Sequence, residues 1–262
     1  MKSQTIVVKL GTNAMTNEDG SLNAALIKSI VGQLAMLRKN HDVLLVSSGA
    51  MGAGRNILKN KPLHYDEVTS RQLYAVVGQV KLMEIYSNLF AEYGLTVAQM
   101  LATRQDFENR THFLNTKNCI ESLFREGIIP ILNENDFVCV EELMFTDNDE
   151  LAGMISKMLF ADKFIILSNI PGVMDENGDV IGEFAHDAKM PDHIHSSDKS
   201  SFGKGGMQTK FKIAQDAAGH GTDVFISKSS EENVIVRIID GEHVGSRFVA
   251  GESLKKPLIH SK

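Results

Sequence analysis

The stretch "GKGGMQTK", residues 203–210, sets glycines ahead of a helical pattern with lysines at both ends. Backbone N–H groups at a helix start, with the positive end of the dipole, attract anions. Lys204 and Lys210 add fixed charge to such a site. The stretch is not a Walker A loop, G-x-x-x-x-G-K-[ST], because Gly206 is followed by Met207 and Lys210 by Phe211. A further cation, Lys9, interrupts the apolar run "TIVVKL" two residues before Gly11. A lysine there is either a surface strand end or a functional group, since buried lysines need a partner. These lysines and glycine turns, facing one crevice, suggest a polyphosphate ligand.

Such residues act together only if the elements around them converge. Short β-branched runs alternate with helical patterns along the chain. Strands are expected at residues 5–10, 42–48, 95–101, 128–136, 163–168 and 223–227. Helices are expected at 22–38 with Ser21 as N-cap, at 68–92, 110–126, 148–160, 207–218 and 231–239. Residues 172–182 read as a hairpin turning at Asn177-Gly178, and 183–202 as polar and irregular. Repeated β-α-β units predict an α/β fold, a mostly parallel sheet sandwiched between helices. We expect one domain over 1–262 with two lobes, about 1–160 and 161–262. Ligands of such folds bind at the carboxyl ends of the strands. Those ends carry Lys9 and Gly11, Ser47-Ser48-Gly49, Asn133 to Asp136, and Ser168-Asn169, with Asp147-Asn148-Asp149 opening a helix.

Composition narrows the function classes. A net charge of −6 disfavours broad nucleic-acid binding, so any anion must be held by local cations. The two cysteines form no CxxC, which argues against a disulfide framework and fits a reducing, cytoplasmic setting. No run reaches the ~18 apolar residues of a membrane span, and the N-terminus reads as a first strand rather than a signal peptide.

Other patterns invite chemistry they do not support. "GAMGAG" (49–54) is not G-x-G-x-x-G, so its small residues are expected to let a substrate approach the backbone. "DENGD" (175–179) has its glycine misplaced for a calcium loop and lacks the closing glutamate. "HIH" (193–195) could ligate metal but lies in a polar, irregular stretch and reads as a solvated turn. Gly78, inside a long helix, implies a packing reason. Met207, Phe211, Ala214 and Ala218 form a core stripe. Asp147 and Asp149 could cap their helix.

The stretches "VVKLGTN", "VSSGAMGAGR", "AVVGQ", "LNENDFV", "DNDELA" and "KGGMQTK" occur in the order seen in the amino acid kinase family. The chain resembles that family over about residues 4–250. The resemblance is strongest to members that phosphorylate the side-chain carboxylate of L-glutamate with ATP, the first step of proline synthesis.

That resemblance implies roles. Lys9 and Lys210 match lysines on the transferring phosphoryl group and the nucleotide, and Asp149 matches the residue that orients both. Ser48, Asp136 and Asn148 match the glutamate contacts, with Asp136 suited to an α-ammonium. Lys9, Ser168, Asn169, Lys204, Gly205, Gly206, Met207, Gln208, Thr209 and Lys210 match the ATP segments. Asn169 stands where the family usually has aspartate. Mg²⁺ would arrive with ATP, with no protein ligand named. Proline would act as feedback inhibitor, and the labile product would pass to the reductase of the next step, glutamate-5-semialdehyde dehydrogenase. A homo-oligomer, dimer or tetramer, is implied. Larger relatives carry a C-terminal RNA-modification-type (PUA) domain, for which this chain leaves no room. Two alternatives remain: a sister kinase for another acidic acceptor, or a non-catalytic regulator that binds nucleotide or amino acid.

Overall fold

The computed structural model describes residues 3–17, 20–138, 148–194 and 206–252. The described chain runs β1 (Thr5–Leu10), α1 (Thr12–Met15), α2 (Ala24–Leu37), β2 (Asp42–Ser47), α3 (Ala50–Leu58) and α4 (Glu67–Ala91). It continues through β3 (Val97–Ala102), α5 (Gln105–Glu108), α6 (Arg110–Arg125), β4 (Ile129–Glu134), α7 (Asn148–Leu159) and β5 (Lys163–Ser168). Then follow β6 (Glu183–Phe184), α8 (Met207–Gly219), β7 (Asp223–Lys228), α9 (Val234–Ile239) and β8 (Ser246–Phe248).

The strands form one sheet in the order β3-β4-β2-β1-β5-β7-β8-β6. β3 through β7 are parallel; β8 runs antiparallel to β7. The mostly parallel α/β fold is thus as the alternation predicts. Two differences stand out. Residues 246–248 form a strand that three-residue periodicity cannot announce, and residues 183–184 pair with it inside the segment read as irregular. The hairpin is present as an antiparallel bridge between Met174 and Val180, with Gly178 at φ +87°.

Alternation along each strand sorts the side chains between two cores. Val7, Leu44, Val46, Phe164 and Ile166 face α7 and α8. Ile6, Val8, Leu45, Ile131, Ile165 and Leu167 face α2, α4 and α9. By that parity Lys9, Ser48 and Ser168 belong to the α7–α8 face, and Asn133 to the α4 face.

Two local readings are corrected. The N-cap of α2 is Asn23, whose Oδ1 accepts the Leu26 N–H at 3.0 Å. Ser21 lies before it, and Leu22 bridges to Thr16 rather than entering the helix. Gly54 of "GAMGAG" serves helix packing, not a ligand. A Cβ at Gly54 would fall 1.8 Å from the Tyr74 carbonyl oxygen, and one at Gly78 would fall 1.7 Å from that of Ala50. The two glycines let α3 and α4 cross backbone to backbone, which is the packing reason for a glycine within α4.

Candidate phosphoryl-transfer site

Lys9 is 5% exposed near the end of β1, and Asp149 is fully buried in the first turn of α7. The register of β1 with β2 and β5, Lys9 opposite Val46 and Ile166, brings three strand ends level. Gly11 follows at once; a Cβ there would lie 3.3 Å from Lys9 Nζ. Its N–H donates to the Leu167 carbonyl at 3.3 Å, tying this turn to the end of β5.

Lys210 reaches the same point from the far end of the sequence. Phe211, the next residue, packs edge-on against Phe184 and Phe248 with centroids 5.2 and 5.0 Å away. That aromatic cluster anchors the first turn of α8 to the sheet. α7 and α8 lie side by side in the same direction. Asp149, Gly153 and Lys157 of α7 meet Lys210, Ile213 and Asp216 of α8 in turn. The positive ends of both helices therefore open toward the same side of the sheet.

The outcome is one carboxylate between two ammoniums. Lys9 Nζ lies 2.5 Å from Asp149 Oδ1, and Lys210 Nζ lies 2.7 Å from Oδ2. Burial alone pushes the Asp149 carboxyl up. The two lysines, by charge and hydrogen bonds, outweigh it and hold the group well below the usual carboxylate range. The trio carries a net charge of one positive unit, set where a polyanion would meet two helix N-termini. Asp149 thus makes ion pairs with both lysines from its place in the first turn of α7.

A second cluster adjoins it. Asn148 Nδ2 donates to Ser48 Oγ and to Asn133 Oδ1, both at 2.9 Å. Asn133 Nδ2 donates to Gln79 Oε1 of α4 at 2.9 Å. Asp136 stands in the turn after β4, half-buried. Ser168 and Asn169 sit together at the end of β5, the serine hydroxyl donating to Asn169 Oδ1 at 3.3 Å. Ser168 is buried and Asn169 exposed.

The structure therefore unites Lys9, Asp149 and Lys210, and separately Ser48 with Asn148. Gly206 caps α8 without a side-chain contact, and Met207, Gln208 and Thr209 form its first turn with Lys210, all half-buried. Lys204, Gly205, Asp147 and His195 lie outside the described residues. His193 hydrogen-bonds the Met174 carbonyl at 2.6 Å, which makes it a tie to the hairpin. Asp175 accepts the N–H groups of Asn177 and Asp179, each at 2.9 Å, so its carboxylate shapes the turn. Asn133 is among the strand-end residues that the sequence marks, but its contact with Gln79, which lies in the stretch "AVVGQ", was missed by residue-level reasoning. The signal was the strand parity, which aims Asn133 at α4.

The sequence profile described as "Amino acid kinase family" matches residues 4–228. A glutamate 5-kinase of Bacteroides thetaiotaomicron is 42% identical across 98% of this chain and 74% of its own length. One from Chlorobaculum tepidum is 41% identical across 94% of this chain and 69% of its own length. One from Alkaliphilus metalliredigens is 34% identical across 96% of this chain and 97% of its own length.

Proposed function

The chain belongs to the amino acid kinase family, and on that premise we propose that it transfers the γ-phosphoryl group of ATP to the side-chain carboxylate of L-glutamate. The observation that carries this reading is Asp149 clasped between Lys9 and Lys210 at the starts of α7 and α8.

A glutamate side chain has a pKa near ~4.3 and is ionised at neutral pH. It needs no general base, unlike a hydroxyl acceptor. One carboxylate oxygen attacks the γ-phosphorus, the bond to the β,γ-bridging oxygen breaks, and ADP leaves with its electron pair. No proton moves. The obstacle is repulsion between an anionic nucleophile and a polyanionic nucleotide. Lys9 and Lys210 offset it and stabilise charge on the phosphoryl oxygens, while Asp149 fixes where their ammoniums point. Mg²⁺ would arrive with the nucleotide and would supply neutralising charge to its phosphates, so the chain's own contribution is the lysine pair. Asp149, the carboxylate at the centre of the site, is engaged by Lys9 and Lys210.

The amino-terminal lobe, about residues 1–160, would take glutamate through Ser48, Asp136 and Asn148. The carboxyl-terminal lobe would take the nucleotide through Ser168, Asn169 and residues 204–210. Proline, which shares the α-carboxylate and an adjacent cationic nitrogen with glutamate, would compete at the first of these. The test is ADP release with a panel of acceptors: L-glutamate, N-acetylglutamate, aspartate and UMP. Turnover with glutamate supports the reading. Turnover only with another acceptor would make the chain a sister kinase, and nucleotide binding without turnover would make it a regulator.

A further inference from the structure

The amide cluster beside the lysines has one group whose polarity cannot reverse, the backbone N–H of Glu134. It donates to Asn133 Oδ1 at 2.9 Å and to Asn148 Oδ1 at 3.2 Å. Both amide oxygens therefore face it, and both NH₂ groups point away from it. That of Asn148 reaches Ser48 Oγ and Asn133 Oδ1. That of Asn133 reaches Gln79 Oε1. Since the Ser48 oxygen accepts from Asn148, its own proton is turned elsewhere. Asn133 is 3% exposed, so the acceptor for its outward NH₂ must come from the protein.

We infer that Gln79 is a positioning residue for the acceptor substrate: through Asn133 and Asn148 it fixes Ser48 as a hydroxyl donor to a substrate carboxylate. The relay rests on the reading that Ser48 and Asn148 hold glutamate. Its two ends are locked by the same contact, because Gly78 presses α4 against the carbonyl of Ala50, two residues after Ser48. Gln79 touches neither substrate nor phosphate on this account; it acts by holding the Asn133 amide in one orientation. Without it Asn133 seeks another partner, and the two hydrogen bonds that Asn148 donates lose their fixed geometry.

The test is a double-mutant cycle of Gln79→Met and Ser48→Ala, with KM for glutamate, KM for ATP, kcat and thermal midpoint measured on each. Each single variant is expected to raise glutamate KM roughly tenfold while ATP KM stays within about twofold; losing one partner of a buried hydrogen bond is of that size. The double variant should be no worse than the poorer single. Gln79→Glu keeps the acceptor oxygen and should lie nearer the parent than Gln79→Met. An unchanged glutamate KM in Gln79→Met overturns the inference alone, if Ser48→Ala still raises it. Multiplying effects in the double variant, or glutamate and ATP KM rising together with a fallen midpoint, also overturn it. An unchanged glutamate KM in Ser48→Ala instead overturns the reading of the acceptor site.

Discussion

Replacing Asp149 with asparagine keeps the shape of the side chain and removes its charge. Two ammoniums, now 2.5 and 2.7 Å from that carboxylate, would face a neutral amide and each other. Each ion pair near 4 Å is worth about 4 kcal/mol at an effective dielectric of ~20. Desolvation of three buried charges and repulsion between the lysines offset much of that. Breaking a buried pair typically costs about 3–5 kcal/mol. For a chain of this size about 1 kcal/mol moves the midpoint by roughly 2–4 °C, so a fall near ~10 °C is expected. Catalysis should suffer more. One donor aimed at transition-state charge is worth about 10²–10³ in kcat, and Asp149→Asn misaims two. The net charge facing the nucleotide, however, rises from +1 to +2, so ATP binding should hold or tighten. Calorimetric titration of ATP, melting curves and steady-state kinetics on Asp149→Asn read these three effects apart. A variant with kcat within tenfold of the parent, or with ATP binding lost alongside activity, refutes the orienting role.

Lys210→Ala should lower kcat by about 10²–10³ with a smaller change in glutamate KM, read by ADP release; unchanged turnover would remove Lys210 from the reaction. Gly78→Ala should destabilise. Alanine gains about 1 kcal/mol in helix propensity, but its Cβ would meet the Ala50 carbonyl at 1.7 Å, and overpacking costs about 1–3 kcal/mol or more. A melting midpoint equal to or above the parent's contradicts the close crossing of α3 and α4. The depressed Asp149 carboxyl contributes stability that is fully present above its unfolded value near 3.8 and is lost as pH falls through its lower native value. Melts from pH 7 to pH 5 should therefore show no decline due to Asp149. The acid limb below about pH 4 should be shallower in Asp149→Asn than in the parent; equal limbs would contradict the depression.

The fold was legible because parallel sheets advertise themselves. Runs such as "TIVVKL" and "KFIILS" are apolar on both faces, and the helices between them repeat at their own period. Lys9 was legible as the charged interruption of such a run, and Asp149 and Lys210 as charges at helix starts. What escaped has a common physical cause. Ser21 and Asn23 are both good caps, and only the path from Thr16 to Leu22 decides between them. Gly54 of "GAMGAG" looks like part of a ligand loop until Gly78 of a distant helix is seen to fill the space beside it. Asn133 and Gln79 lie 54 positions apart and meet through one hydrogen bond that no periodicity encodes. β8 is three residues long, too short to carry a pattern.

Hydroxylamine trapping tests the central claim most directly, because it reports the bond that forms. An acyl phosphate made from glutamate reacts with hydroxylamine to give the γ-hydroxamate, whereas phosphorylation at nitrogen or a hydroxyl does not. With ATP, Mg²⁺, L-glutamate and hydroxylamine, the account predicts γ-glutamyl hydroxamate accumulating in step with ADP, and a loss of both in Lys210→Ala. ADP release from glutamate without hydroxamate, or hydroxamate formation undiminished in Lys210→Ala, would contradict it.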